Sequence, residues 1–348
     1  MKRRMVEAKS IWSIIVGFVV LLVYTGIAPF ANAAPQTPTG QKILLRWNLD
    51  SAPGDTLSLR AEKTKELMQA DPEVRDLVKI ELYYSNSLLK APDAVEALMR
   101  GDIQMSFVGT WYFEKLSPNI IILDMPFLFK DLSSVNKFFD SSEAEATIYK
   151  ALSNKGIKWL AGSPVGTYSV ITKDPVRRVE DLKGMKIRTV GYGAHTISTF
   201  GAVPISMAAG NIYIAMQRNT IQGADISAIS IMDRRLYEVG KYYLNAPIHF
   251  TSDFCIANKK WFESLPGMVQ EKLEKYVKEG NQFKRQVTLT KEQEALRQSM
   301  PSNGVKVYTP TAEELEMWKK ASNTARELLM KKLPDNDLVK KIELMQQQ

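Results

Sequence analysis

One arginine in residues 181–227 has the surroundings of an anion-binding side chain. Arg188 ends a short strand-like segment, residues 185–188, in which apolar and basic side chains alternate. Its planar guanidinium group can donate two parallel, charge-assisted hydrogen bonds to a carboxylate. The segment therefore predicts a site for a small organic acid. A purely structural ion pair with Asp181 or Asp225 is the alternative that the residues leave open.

Other chemistry has little support in the sequence. His195 and His249 are not spaced with Cys, Asp or Glu as metal ligands are. A phosphate-binding loop and a nucleophile elbow are absent, and Gly191-Tyr192-Gly193 is only half of a dinucleotide fingerprint. We therefore predict no metal, no cofactor and no catalytic residue. A secreted enzyme is a minor alternative, because no nucleophile and base stand out as a pair.

The N-terminus has the layout of an export signal. A basic segment, residues 2–4, precedes an apolar run at residues 11–30 and the small-residue sequence Ala31-Asn32-Ala33. This layout predicts a cleaved signal peptide at residues 1–33 and a periplasmic location. An uncleaved membrane anchor is the alternative, since the apolar run is almost long enough to span a bilayer.

Composition narrows the class of protein. The chain has 348 residues, and this length favours two lobes, each with its own core. Of its residues, 45% are hydrophobic and 24% are charged. Its formal charge of +8 falls to +5 without residues 1–33, which contain four Lys or Arg and one Glu. Blocks of basic residues with interleaved aromatics are absent, so no nucleic-acid partner is predicted. The single Cys255 excludes an intrachain disulfide.

The first part of the chain has the pattern of a parallel α/β sheet. Predicted strands at residues 43–47, 78–84 and 103–108 alternate with predicted helices at residues 57–68 and 92–100. Ligands bind such sheets outside the carboxyl ends of the strands, where Asn48 and Trp111 stand. Towards the C-terminus we predict one long helix from Pro266 to about Met300 and a closing helix at residues 312–332.

A set of spaced motifs connects the chain to a known family. The chain resembles the periplasmic solute-binding component of tripartite ATP-independent periplasmic (TRAP) transporters, typified by C4-dicarboxylate and sialic-acid receptors. The resemblance covers nearly all of the chain after residue 33 and rests on Ala97-Leu98, Gly101-Asp102-Ile103-Gln104-Met105, residues 123–129 (LDMPFLF), residues 180–188 (EDLKGMKIR), Gly201-Ala202-Val203-Pro204, Tyr213, Ala215-Met216-Gln217 and Gly223.

The resemblance implies both a fold and a function. The fold is a two-lobed α/β binding protein with mixed, mostly parallel sheets, crossing hinge strands and a long helix spanning both lobes. We expect lobe 1 at residues 34–160 with about 248–285, and lobe 2 at residues 161–247 with about 286–340. In the family, the arginine at the position of Arg188 pairs with the ligand carboxylate. The implied partners are a small anionic ligand and integral membrane TRAP permease subunits driven by an ion gradient, and we expect a monomer. A ligand-sensing receptor for a membrane signalling protein is the alternative.

Two departures from the family pattern bear on the ligand. Many relatives carry a second arginine where this chain has Gly166-Thr167-Tyr168-Ser169, and a family asparagine is replaced by Ile226. We therefore predict an organic monoacid with an apolar or aromatic body, not a small dicarboxylate. The predicted ligand-binding residues are Arg188, Tyr168, Asp225, Ile226, Trp111, Tyr213 and Asn48.

Overall fold

The computed structural model describes residues 42–347, and the predicted signal peptide lies outside these residues. The strands of the described chain are β1 (Ile43–Asn48), β2 (Val78–Tyr83), β3 (Met105–Gly109), β4 (Ile157–Pro164), β5 (Tyr168–Thr172), β6 (Lys186–Thr189), β7 (Val203–Ser206), β8 (Gly223–Ser227), β9 (Tyr242–Leu244), β10 (Ser252–Asn258) and β11 (Lys306–Tyr308).

The α-helices are α1 (Leu59–Ala70), α2 (Ala91–Arg100), α3 (Leu132–Phe139), α4 (Ser142–Ala144), α5 (Lys150–Ser153), α6 (Gly193–Thr199), α7 (Ile212–Gln217), α8 (Ala228–Asp233), α9 (Lys259–Glu263), α10 (Gly267–Glu294), α11 (Met300–Ser302), α12 (Ala312–Lys332) and α13 (Asp337–Met345). Two π-helical segments, Glu145–Tyr149 and Ala295–Ser299, join α4 to α5 and α10 to α11. Short 3₁₀ helices include Thr110–Phe113, Pro118–Asp124 and Val179–Leu182.

The strands form two sheets, which define the two lobes of the molecule. Lobe 1 is built on the order β2-β1-β3-β10-β4, and lobe 2 on the order β11-β9-β5-β8-β6-β7. In lobe 1, β1 runs parallel to β2 and β3, while β10 runs antiparallel to β3 and β4. In lobe 2, β6 runs parallel to β7 and β8, and β5 is antiparallel to β8 and β9. The mixed sheets expected from the sequence are confirmed.

Two of the crossings between the lobes run side by side as extended segments. The chain leaves lobe 1 after β4 and enters β5, and it returns between β9 and β10. The Val165 N–H donates to the Thr251 carbonyl at 2.8 Å, and the Tyr168 N–H donates to the His249 carbonyl at 2.9 Å. These bonds join the crossing segments into the paired hinge that the sequence predicted.

The sheet of lobe 1 separates two apolar cores, as the alternation of side chains along a strand requires. On β10, Phe254 and Ile256 belong to one core, whereas Cys255 and Ala257 belong to the other. Cys255 is fully buried and burial raises the pKa of its thiol to about 12. This cysteine therefore acts as a small apolar side chain of the core, as predicted.

A buried ion network fastens the long helix α10 to lobe 1. Asp253 on β10 pairs with Arg60 of α1 at 2.6 Å and with Lys284 of α10. Ser163 on β4 accepts from both cations at 2.7 Å. Near its other end, α10 contacts α8 of lobe 2. The long helix therefore spans both lobes, as the sequence predicted.

The C-terminal helices also touch both lobes. On α12, Trp318 packs in a lobe 2 core while Leu329 packs in a lobe 1 core, which Leu338 of α13 joins. The residue ranges expected for each lobe therefore stay a prediction.

Across residues 42–347, every helix is too short or too polar to cross a bilayer.

The close crossing of α1 and α10 depends on a residue without a side chain. A Cβ atom on Gly280 would lie 2.6 Å from the Arg60 carbonyl oxygen and 2.7 Å from Thr64 Oγ1. Such overpacking typically costs about 1–3 kcal/mol, because backbone atoms cannot yield easily. We predict that Gly280→Val lowers the free energy of unfolding by about 2–3 kcal/mol in urea denaturation.

The matched control is Gly267→Val at the start of the same helix, where a Cβ atom would meet nothing within 4 Å. We expect a change below about 0.5 kcal/mol there. Equal losses at both positions would show that the helix crossing is not the constraint.

Candidate functional site

A cleft of about 740 Å³ lies between the lobes and is lined by residues of both. This volume is in the range of about 300–1,000 Å³ that is typical of small-molecule sites. Lobe 1 contributes polar side chains and an aromatic wall, and lobe 2 contributes two arginines. The lining includes Asp50, Ser51, Asp55, Ser85, Asn86, Lys90, Phe107, Trp111, Tyr112, Tyr168, Arg188, Met207, Ile226, Ser230, Arg234 and Asp253.

In lobe 1 the carboxyl ends of three neighbouring strands form the wall. Asp50 follows β1, Asn86 follows β2 and Trp111 follows β3, and all three line the cleft. Parallel strands place these ends at one edge of the sheet, which is where ligands of α/β proteins bind. The ring of Trp111 needs a glycine at position 109, because a Cβ atom on Gly109 would lie 2.2 Å from the ring.

Arg188 is a buried cation at the lobe 2 wall of the cleft. Its side chain is 3% exposed. Nε donates to the Met207 carbonyl at 3.1 Å, and Nη1 donates to the Asp225 carbonyl at 3.4 Å. Burial lowers the pKa of its guanidinium, opposed by Tyr168 and Asp225. Among residues 42–347 no carboxylate lies within ion-pair distance of it, so its charge has carbonyl dipoles but no counter-ion.

The two carboxylates considered as structural partners of Arg188 are used elsewhere. The Asp225 carboxylate accepts from Thr189 Oγ1 at 2.8 Å and from His249 Nε2 at 2.9 Å. The Asp181 carboxylate accepts from two backbone N–H groups, of Arg177 and Arg178, at 2.9 Å each. A structural ion pair of Arg188 with either residue is therefore not formed.

Three of the other predicted residues line the cleft with Arg188. These are Trp111, Tyr168 and Ile226. Burial raises the pKa of the Tyr168 hydroxyl to about 12, so this phenol stays a neutral hydrogen-bonding group. The ring of Tyr168 packs 5.3 Å from that of His249. These three side chains add apolar and aromatic surface to the cleft beside Arg188, and their contact with a ligand stays a prediction.

Three predicted residues do not line the cleft. The Asp225 carboxylate lies on the other face of β8, where it bonds Thr189 and His249. Asn48 holds the loop before α2 by bonding the Leu89 N–H and carbonyl, both at 3.2 Å. The hydroxyl of Tyr213 donates to Glu238 at 2.6 Å on the outer side of lobe 2. The first is kept from the cleft by strand alternation, and the other two by local hydrogen bonds.

Sequence reasoning missed a second cation in the cleft. Arg234, immediately after α8, lines the wall of lobe 2, although the positions expected to supply a second arginine carry none. Asp50 of lobe 1 also lines the cleft, and burial raises the pKa of its carboxyl to about 6. Neither residue belongs to a recognisable motif, so only the folded chain brings them to the site.

A buried acid–base cluster lies behind the cleft where the lobes meet. Asp124, at the end of the 3₁₀ helix Pro118–Asp124, accepts from the Tyr192 N–H of lobe 2 at 3.1 Å. Burial raises the pKa of Asp124 to about 6, opposed by His249 and by that N–H and assisted by Asp225. Burial alone would lower the pKa of His249, but the Asp225 carboxylate raises it overall. Within the described part of the chain no group of three or more His, Cys, Asp or Glu side chains could hold a metal ion.

Comparisons with known proteins agree on one family. The model of bacterial extracellular solute-binding protein, family 7, matches residues 51–332. The 2,3-diketo-L-gulonate-binding periplasmic protein YiaO of Escherichia coli (strain K12) is 26% identical over 334 residues, covering 93% of this chain and 97% of that protein.

Solved structures show the same fold at lower identity. A TRAP periplasmic solute-binding protein from Shewanella oneidensis, with bound succinate, has a TM-score of 0.82 at 18% identity and covers 88% of this chain and 99% of that one. One from Sulfitobacter sp. NAS-14.1, with bound β-D-galacturonate, has a TM-score of 0.78 at 22% identity and covers 85% and 98%. The two-lobed fold predicted from the sequence is therefore confirmed.

The raised pKa of Asp124 predicts a pH-dependent contribution to stability. A carboxyl whose pKa is higher in the folded state, here about 6 against 3.8, stabilises the fold fully below pH 3.8 and loses this contribution as the pH rises through 6. A difference of one unit between the folded and unfolded pKa values changes the free energy of unfolding by about 1.4 kcal/mol. We predict that Asp124→Asn, which stays neutral, gains on the order of 3 kcal/mol relative to the wild type between about pH 4 and pH 8.

Melting temperatures of both proteins across this range measure the effect. The difference between the two curves reports the titration of Asp124 together with its coupling to His249, because each of these two side chains shifts the pKa of the other. Asp102→Asn is the control, since Asp102 is an exposed carboxylate paired with Arg100 on the surface. A constant difference between variant and wild type across the range would contradict the prediction.

Proposed function

The chain belongs to the bacterial extracellular solute-binding protein family 7, and from this membership and the cleft we propose that it is a periplasmic receptor for a small organic acid. Arg188 binds the carboxylate of the ligand, and the lobes close around it. The receptor then delivers the ligand to a TRAP-type permease that uses an ion gradient. This role is binding and transport, in keeping with a family of solute-binding receptors and not of enzymes.

The observation that carries the proposal is the unpaired charge of Arg188. A buried cation is costly unless it is paired and hydrogen-bonded. Arg188 has two carbonyl acceptors and lines an open cleft, but it has no carboxylate partner among the described residues. A ligand carboxylate supplies the missing counter-ion, and the planar fork of the guanidinium suits it.

The ligands of relatives support the chemical class. The proteins compared above are named for 2,3-diketo-L-gulonate or contain succinate or galacturonate, and all three ligands are carboxylates. They differ in size and in the groups beside the carboxylate. We therefore take the carboxylate as the shared feature and Arg188 as the residue that recognises it.

Replacing Arg188 should remove carboxylate binding. We expect Arg188→Ala to weaken binding of every carboxylate that stabilises the wild type by at least about 100-fold, because hydrogen bonds to charged groups contribute about 1.5–3 kcal/mol each. The carboxylate affinity of Arg188→Lys should lie between those of the wild type and Arg188→Ala, since lysine keeps the charge but lacks the planar guanidinium fork. A thermal-shift screen of carboxylates followed by calorimetric titration measures these affinities.

Two controls separate binding from folding. Arg218→Ala removes an exposed arginine after α7 and should leave affinity unchanged. Circular dichroism of the ligand-free Arg188 variants checks that they fold, because Arg188 also bonds two backbone carbonyls. A folded Arg188→Ala protein that binds carboxylates as tightly as the wild type would refute the proposed anchor.

A further inference from the structure

The cleft contains a second arginine, Arg234, that forms no ion pair with the residues the structure describes. Arg234 is the first residue after α8, and its N–H donates to the Ser230 carbonyl at 3.1 Å, which fixes the backbone there. Its half-buried side chain lines the cleft. Among residues 42–347 it forms no side-chain hydrogen bond and no ion pair. The adjacent Arg235, by contrast, pairs with Glu238 at 2.6 Å outside the cleft.

An acid on the opposite wall is also without a partner. Asp50 follows β1 in lobe 1, and its Oδ1 is buried with no hydrogen-bond partner in the described chain. Asp50 lines the cleft from lobe 1 and Arg234 lines it from lobe 2, so the two side chains lie on opposite walls of the same cleft. The charge of Arg234 also opposes the effect of burial on the pKa of the Asp50 carboxyl. They are nevertheless farther apart than an ion pair. A gap therefore lies between an unpaired donor and an unpaired acceptor.

Other acids and bases around the cleft do not fill these roles. The Asp253 carboxylate already pairs with Arg60 and Lys284. The Asp55 carboxylate accepts from the Ala52 N–H at 3.0 Å. Lys90 is exposed to solvent, where its charge is screened. Asp50 and Arg234 are thus the facing pair whose hydrogen-bonding capacity remains for a ligand.

The chemistry of this gap selects one kind of ligand group. A hydroxyl group can donate to the Asp50 carboxylate and accept from the Arg234 guanidinium at the same time. A second carboxylate would suit Arg234 but would be repelled by Asp50, and an ammonium group would suit Asp50 but would be repelled by Arg234. A methylene group would leave both side chains desolvated and unpaired.

We propose that Asp50 and Arg234 select monocarboxylic acids that carry hydroxyl groups on the carbon chain, the carboxylate binding Arg188 and a hydroxyl bridging Asp50 and Arg234. This proposal rests on the proposed function and specifies its ligand class. It keeps the single acid group predicted from the sequence but replaces the apolar body with a hydroxylated one. The aromatic wall of Phe107, Trp111 and Tyr112 then packs on the carbon skeleton.

Three six-carbon acids test the proposal by calorimetric titration: D-gluconate, which is hydroxylated, hexanoate, which lacks hydroxyls, and adipate, which has a second carboxylate. D-glucuronate adds a cyclic hydroxylated acid. We expect at least one of the two hydroxylated acids to bind the wild type tenfold or more tighter than hexanoate and adipate, because a site built for a hydroxyl rejects analogues without it. Asp50→Asn and Arg234→Met should each weaken that acid tenfold or more and change hexanoate less than threefold.

The controls are Arg235→Met, which removes the neighbouring arginine outside the cleft, and Asp76→Asn, which removes an exposed acid. Both should bind as the wild type does. Equal weakening of all acids by Asp50→Asn and Arg234→Met would overturn the proposal, since it would show a general effect on closure. Tightest binding of adipate or hexanoate would also overturn it while leaving the receptor function intact. Failure of all four acids to show Arg188-dependent binding would overturn both this proposal and the proposed function.

Discussion

The structure of the cleft depends on the burial of one positive charge that has no counter-ion among the residues the structure describes. Arg188 is held by the carbonyls of Met207 and Asp225, and these contacts fix its direction without neutralising it. The desolvation free energy of an isolated buried charge is far larger than the stabilisation that two carbonyl dipoles provide. In the proposed receptor, a ligand carboxylate supplies the missing counter-ion, so part of this unfavourable energy is recovered as affinity for an anion.

The two lobes differ in how firmly their walls are built. In lobe 1, Asp253 with Arg60 and Lys284 ties two strands and two helices together, and both cations lie within about 6 Å of the Phe107 ring at the cleft. In lobe 2, the cleft residues Arg188 and Arg234 form no ion pair with any residue in the described part of the chain. A ligand that contacts both walls stabilises the closed form only by its differential affinity for it. In the proposed receptor, this difference would come from the two cations, which would gain partners when the lobes close around a ligand.

Sequence patterns predicted the fold wherever local chemistry decides the structure. The closing helix was expected at residues 312–332 and α12 has those bounds, since Thr311 and Glu314 form a capping box at its start. The long helix was also expected, but its π-helical segment Ala295–Ser299 was not, because a change of hydrogen-bond register inside a helix has no composition of its own. Crossing strands came from the family resemblance and not from periodicity, since pairing between distant segments is a tertiary property.

Some residues of the cleft could be predicted from local sequence, whereas others are placed there only by strand pairing and tertiary contacts. Arg188 could be found because a strand-end arginine beside a glycine-rich loop is visible locally. Asp225 was wrongly placed in the cleft because the sequence does not reveal the pairing of β6 and β8, in which Arg188 lies opposite Ala224. Alternation then puts Ile226 on the face of Arg188 and turns the Asp225 carboxylate towards Thr189 on the other face. Asp50 and Arg234 lie far apart in the chain and in different lobes, so no spacing rule joins them. Their proposed roles follow only from the gap that the fold leaves between them, because a ligand group that enters this gap would have to satisfy both side chains at once.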